Sequence, residues 1–275
     1  TLRIKDAICD KFREVMNARP SVATREPDVR IHAFLDATEA TIYLDLSGEP
    51  LFKRGSREHT GVAPLKKNLA AGIIALSGWQ PGETFLDPMC GSGTFLVEAA
   101  QIALGIAPGI ERKFAFQNLK NFDQKVWQSL KDAARENEKP RAALPIYGAD
   151  MYGHALKDAR ENLAANNLLD CVFLKQANVL EISAPTESGV LITNPPYGER
   201  LGETTDLAQL YPKLGDVLKQ KFAGWRAYFF TGDTALPKGM RLSTSKKTPL
   251  FNGKLECRLY EYKIIAGSNR KEMKV

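Results

Sequence analysis

The chain has few of the residues that build metal or redox centres. Its 275 residues include four cysteines and three histidines. Cys9, Cys90, Cys171 and Cys257 are scattered with no CxxC pair, which argues against a zinc site and makes a reduced compartment the default. His59 has no companion at ligand spacing, so no metal is expected. No apolar run approaches the roughly 20 residues that span a bilayer, and no signal-peptide pattern opens the chain. A cytoplasmic protein with no membrane partner is the expectation. The sequence also lacks an initiator Met and opens directly in a helical pattern, as would a piece whose front lies in a longer protein. The three-glycine GxGxxG spacing of dinucleotide sites is missing. Ser92 has no His/Asp pairing, which argues against nucleophilic hydrolysis.

What is present is ordinary for a globular protein, with 44% hydrophobic and 25% charged residues. Lys and Arg number 38 against 32 Asp and Glu, a net charge of +6 compatible with a polyanionic partner. Ile4, Ile8, Phe12 and Val15 recur at helical spacing over 2–16, and 31–35 and 41–46 alternate as half-buried strands do. Helix plus paired strands reads as the tail of a small α+β module, with a basic connector at 53–59 and a second helix over 64–76. From Thr84 the rhythm becomes strand, turn, helix. Strands are expected at 84–87, 145–149, 171–174, 190–193 and 227–231, with helices at 94–104, at 155–163 and at 207–222. Such alternation implies a mainly parallel sheet. Two runs at 247–251 and 255–264 flank Asn252-Gly253, a strong hairpin signal, so the last strand is expected to be antiparallel. Residues 105–140 form an insertion longer than a normal connection, and its length points to a place over the site. The expected division is 1–50, a connector and helix over 51–78, and a main domain over 79–275.

Two motifs carry chemistry. The turn Asp87-Pro88-Met89-Cys90-Gly91-Ser92-Gly93 follows the first strand of the alternating region and precedes a helix at Thr94. Its glycines let backbone approach a ligand, and the helix N-terminus offers free N–H groups. Asp87 is expected to bind an amino group or to cap the turn. Cys90 reads as packing or backbone contact. Asp150 ends the second of these strands, where such folds set an acid against a ribose, and it also reads as an N-cap. Asn178 lies where an adenine edge would be read, or is a turn residue. The second motif, Asn194-Pro195-Pro196-Tyr197, leaves a buried strand abruptly because neither proline can donate to the ladder. It sets an amide, a rigid bend and a ring in fixed mutual positions. The Asn194 oxygen and the Pro195 carbonyl can accept from an exocyclic NH2 whose ring stacks on Tyr197. Together the motifs point to S-adenosylmethionine-dependent N-methylation of a planar amine.

These residues resemble a known family. The stretches 87–94 and 194–200, with 44–48, 53–55, 63–66 and 107–110, are similar to the THUMP-containing RNA guanine-N2 methyltransferases, in their bacterial 23S ribosomal RNA branch. The resemblance covers nearly the whole chain. It implies a Rossmann-like class I methyltransferase domain, α/β, preceded by part of an α+β THUMP domain that binds RNA. It implies S-adenosylmethionine held by Asp87, Pro88, Cys90, Gly91, Ser92, Gly93, Thr94, Asp150, Met151, Asn178, Val179 and Asn194. It further implies a catalytic set of Asn194, Pro195, Pro196 and Tyr197, and Lys53, Arg54, Arg57 and Arg200 are expected on the RNA. The sequence departs from the family at Asn178, where the adenine-reading residue is usually acidic.

Overall fold

The computed structural model describes residues 2–53, 65–196 and 204–266, with only the backbone of 204–208. Its elements run α1 (Leu2–Met16), β1 (Arg30–Leu35), β2 (Ala40–Asp45), α2 (Lys67–Ser77), β3 (Phe85–Asp87), α3 (Thr94–Ala103) and α4 (Gln124–Glu136). There follow β4 (Ile146–Asp150), α5 (Gly153–Ala164), β5 (Phe173–Gln176), β6 (Gly189–Thr193), α6 (Thr204–Lys221), β7 (Trp225–Thr231), α7 (Leu236–Gly239), β8 (Lys246–Asn252) and β9 (Leu255–Lys263). They form two units, residues 1–53 with 111–132, and 54–110 with 133–275.

In the first unit β1 and β2 pair antiparallel from Arg30↔Asp45 to Leu35↔Ala40. The middle of the insertion is part of this unit, which a contiguous division of the sequence at residue 50 omits. The Phe116 N–H donates to the Leu46 carbonyl (3.0 Å) and the Asn118 amide to that of Asp28 (2.8 Å). Phe114 and Phe116 stack at 5.2 Å, and Trp127 meets both edge-on at 5.6 and 5.1 Å. The long connection therefore carries its own aromatic nucleus.

In the second unit seven strands form one sheet in the order β5-β4-β3-β6-β7-β9-β8, parallel except where β9 meets β7 and β8. Alternate strand residues face two separate cores. Val190, Ile192, Tyr228 and Phe230 pack with residues of α2, α3 and α5, while Leu191, Ala227 and Phe229 pack with residues of α6 and α7. With helices on both faces a central strand must be apolar throughout, and all five residues of β6 are buried.

Several expectations shift: β1 and β2, expected half-buried, are exposed at nearly every residue, and α6 and β7 begin earlier, at Thr204 and Trp225. β5 starts at Phe173 because Leu169–Cys171 coils into a 3-10 turn, closed by the Cys171 N–H on the Leu168 carbonyl. α2 begins at Lys67 rather than at Pro64. The hairpin turn is Gly253-Lys254 rather than Asn252-Gly253, since Asn252 pairs with Leu255. Glycine is needed at its first position, where φ is +71°.

The middle of α6 packs closely against Met240, the residue that ends α7. A Cβ on Gly215 would lie 1.9 Å from the Met240 carbonyl oxygen, a backbone atom that cannot swing aside. Gly215→Ala should therefore destabilise the unit by about 3 kcal/mol or more. Calorimetry should record a fall of roughly 5–10 °C in its melting transition, and an unchanged transition would mean that α7 yields freely.

Candidate functional site

Strand order reverses at β3, which has β4 on one side and β6 on the other. Successive chain segments depart in opposite directions there and leave a crevice at the carboxyl ends of the strands. The pairing Phe85↔Val190 and Leu86↔Leu191 brings the ends of β3 and β6 together. Asp87 closes β3 and Thr193 closes β6, both buried, and Asp150 closes β4. The two sequence motifs thus meet at one edge.

The glycine turn is pinned from β4 and α5. The Cys90 N–H donates to the Ala149 carbonyl (2.9 Å), and the Gly91 N–H to Asp150 Oδ2 (3.0 Å). Asn162 of α5 donates its amide to the Ser92 carbonyl (3.0 Å). Gly91 and Gly93 both have positive φ, +51° and +77°. A Cβ on Gly93 would press the Ala159 Cβ at 3.2 Å, which explains the glycine as a packing requirement. At Gly91 a Cβ would meet nothing within 4 Å, so open space lies before the turn. Pro88 is buried behind it, and Thr94 starts α3.

Asp87 has no cation beside it among the described residues, and its pKa rises to about 7. Burial is the main cause and the Asp150 carboxylate adds to it, while the Thr193 hydroxyl and the Met89 N–H (3.2 Å from Oδ1) pull it down. The hydroxyl leans toward Asp87 without full hydrogen-bond geometry, its oxygen having no partner among the described residues. A buried carboxyl with a raised pKa is suited to a ligand ammonium, which would restore its charge. Burial also pushes the Cys90 thiol well above its ordinary value, so it stays protonated beside Asp87 and Asp150.

Asp150 holds structure with both oxygens, since Oδ1 accepts the Tyr152 N–H (3.0 Å) while Oδ2 accepts that of Gly91. The expected N-cap is corrected: α5 begins at Gly153 and Asp150 closes a turn ahead of it. Next to it the exposed Met151 offers an apolar surface. Asn178 spends its side-chain oxygen on the Leu180 N–H (3.0 Å), as a turn residue does, and Val179 packs into the core.

At the end of β6, Asn194 Oδ1 is buried and has no hydrogen-bond partner among the described residues. Such an acceptor costs about 1–3 kcal/mol unless a donor meets it. Pro195 is buried and Pro196 half-buried. Tyr197, Arg200, Arg54 and Arg57 lie outside the described residues. Lys53, expected on the RNA, belongs to the first unit and pairs with Glu49 at 2.6 Å.

Reading the sequence missed Thr193 and Asn162. Asn162 had a faint signal, a polar residue three positions after Ala159 on the apolar face of α5. Thr193 had none, because its role depends on β3 being a neighbour. The edge as built combines a buried acid, an open glycine turn and an orphaned acceptor, a donor set that fits a sulfonium amino acid with a nucleoside and an amine to be positioned. Among the described residues no cluster of His, Cys, Asp or Glu could hold a metal, and no helix is long and apolar enough to cross a membrane.

Known proteins are similar to this chain in sequence and in fold. Residues 1–45 match the THUMP domain profile, and 54–261 match the methyltransferase domain described as RMKL-like. A ribosomal RNA large subunit methyltransferase K/L from Desulfotalea psychrophila is 45% identical over 266 residues, 94% of this chain and 37% of that protein. The chain thus spans less than two fifths of that relative's length. A putative methyltransferase solved as a complex with SAH superposes with a TM-score of 0.83 at 36% identity, over 96% of this chain and 69% of that one. A possible methylase from Clostridium difficile superposes at 0.85 and 30% identity, over 96% and 70%. The fold is therefore that of the S-adenosylmethionine methyltransferases, a mainly parallel sheet closed by an antiparallel hairpin. Because the matched span holds the glycine turn, the acids ending β3 and β4 and the Asn194 exit from β6, the chain belongs to the RMKL-like methyltransferase family.

Proposed function

We propose that this chain transfers a methyl group from S-adenosylmethionine to the exocyclic N2 of a guanine in RNA, with 23S ribosomal RNA as the substrate, in the cytoplasm. The observation that carries this reading is the orphaned, buried Asn194 Oδ1, one residue past the Thr193 that faces the buried Asp87. Asp87 would hold the amino group of the cofactor, the Gly91 turn its methionine portion, and Asp150, Met151, Asn178 and Val179 its nucleoside. When bound, the cofactor supplies an already activated sulfonium methyl. The protein then needs only to orient the acceptor and exclude water. Asn194 Oδ1 and the Pro195 carbonyl accept the two N–H bonds of the amine, which aims its lone pair along the crevice and stabilises the positive charge that grows on nitrogen. A guanine leaves its stack to reach this edge, at a cost of a few kcal/mol that ring stacking on Tyr197 offsets.

The residues that position the amine serve equally for tRNA guanine, DNA adenine or a protein glutamine amide. The THUMP match at 1–45 and the ribosomal RNA enzyme among the relatives favour RNA. The test is incubation with labelled cofactor and undermethylated 23S ribosomal RNA, followed by mapping of the product nucleoside. Label in N2-methylguanosine supports the reading. Label in N6-methyladenosine, in tRNA alone or in protein would replace it, and cofactor binding with no transfer would mark a non-catalytic module.

A further inference from the structure

The hairpin of β8 and β9 reaches well past the catalytic edge. Thr193, the last residue of β6, is level with Phe229, which pairs with Tyr260 of β9. From Tyr260 the strand runs on to Leu255, five residues or roughly 17 Å beyond that level. The last β7–β9 pair is Thr231↔Arg258, so the tip stands clear of β7.

The tip is unusual for an exposed hairpin. Phe251 is 62% exposed and Leu255 44% exposed, beside the turn residue Lys254. Phe251 and Arg258 stand on one face of the hairpin, with Glu256 opposite Phe251 and paired to Arg258 at 3.2 Å. Among the described residues no carboxylate lies within ion-pair distance of Lys247 or Lys254. The Gly253 turn faces the ammonium of Lys66, 3.5 Å from where a Cβ would stand. β8 is an edge strand, and Lys246, Lys247 and Pro249 there keep it from pairing with another chain. Edge protection does not explain Phe251, since an exposed ring at an edge promotes association. A ring flanked by cations beside a crevice is what single-stranded nucleic acid recognises, by stacking a base and neutralising phosphates.

We infer that the β8–β9 hairpin is a second RNA-binding element, on which Phe251 stacks a base of the strand flanking the target nucleotide while Lys247, Lys254 and Arg258 contact its phosphates. The inference rests on the RNA reading above. Its test is filter binding of protein-free, undermethylated 23S ribosomal RNA to the intact protein, which needs no methyl transfer. Phe251→Ala should weaken binding about ten- to hundredfold, and Phe251→Trp should restore it. Lys247→Glu with Lys254→Glu should lower the slope of log affinity against log salt by at least about 1. All variants should keep the cofactor-induced rise in melting temperature, because the altered side chains are exposed. Unchanged affinity and salt slope in both variants overturn the inference. So does normal binding of free RNA with a loss confined to ribosomal particles, which would assign the hairpin to a ribosomal protein. A protein that binds RNA through Phe251 yet transfers no label leaves this inference standing and removes the methyl-transfer one.

Discussion

Asn194→Ala should lower methyl-transfer turnover by about 10²–10³-fold while leaving cofactor affinity within about twofold of wild type. The magnitude is that of removing one preorganised polar group from a transition state. Asn194 Oδ1 has no partner among the described residues, so the change breaks no hydrogen bond to that oxygen there. Stability should stay level or rise slightly, since a buried unsatisfied acceptor is removed. A structural role predicts the opposite, a lower melting temperature together with lost activity. Asn194→Asp retains an acceptor at similar reach and should recover part of the turnover. Single-turnover kinetics with labelled cofactor decide the matter, and near-normal turnover by Asn194→Ala would refute the mechanism. Tyr197→Ala should spare cofactor binding too, but weaken RNA-dependent steps, with Tyr197→Phe milder because the ring carries the stacking.

Cofactor binding should release a proton from Asp87 at mildly acidic pH. With its pKa near 7 in the folded protein, the carboxyl is largely protonated at pH 6 until a ligand ammonium arrives. Calorimetry in buffers of different ionisation enthalpy should find release approaching one proton near pH 6 and little above pH 8. Affinity should climb between about pH 5 and 7 with the same linkage. Asp87→Asn should abolish the released proton and weaken binding by roughly 10–150-fold, the loss expected for a charge-assisted hydrogen bond. For the unliganded protein the sign is reversed. The folded pKa lies above the unfolded value of about 3.9, so the stability that protonated Asp87 permits is complete below pH 4 and is lost as pH rises to 7. The difference is of the order of 4 kcal/mol at most. Asp87→Asn should therefore raise the melting temperature of the unliganded protein at pH 8 and leave it nearly unchanged at pH 4. A variant less stable at pH 8 would show that Asp87 is structural.

Both expectations depend on how much each residue owes to its immediate neighbours in the chain. Two prolines after a buried strand end that strand in any context, and glycines between a strand and a helix permit a close turn in any context. Those motifs, the alternation of strands and helices and the terminal hairpin were accordingly legible, whereas α4, inside the insertion, and the short α7 were not. Boundaries moved where a local hydrogen bond intervened, as at the 3-10 turn ahead of β5 and at Gly253-Lys254, where pairing register outweighed the Asn-Gly signal. Asp150 was legible as a strand-end acid but not as the acceptor that fixes Gly91, a bond between residues 59 positions apart.

By itself the sequence determined which chemical groups this protein can present, because backbone restriction at Pro and Gly and the donor or acceptor character of a side chain are local properties. Only the tertiary structure decided where they act. Pairing β3 with β6 set Asp87 beside Thr193, burial moved the pKa of Asp87, and the strand register carried Phe251 past the carboxyl end of β6. Proximity across strands and exclusion of water depend on the whole packed sheet, and no single segment of the sequence contains them.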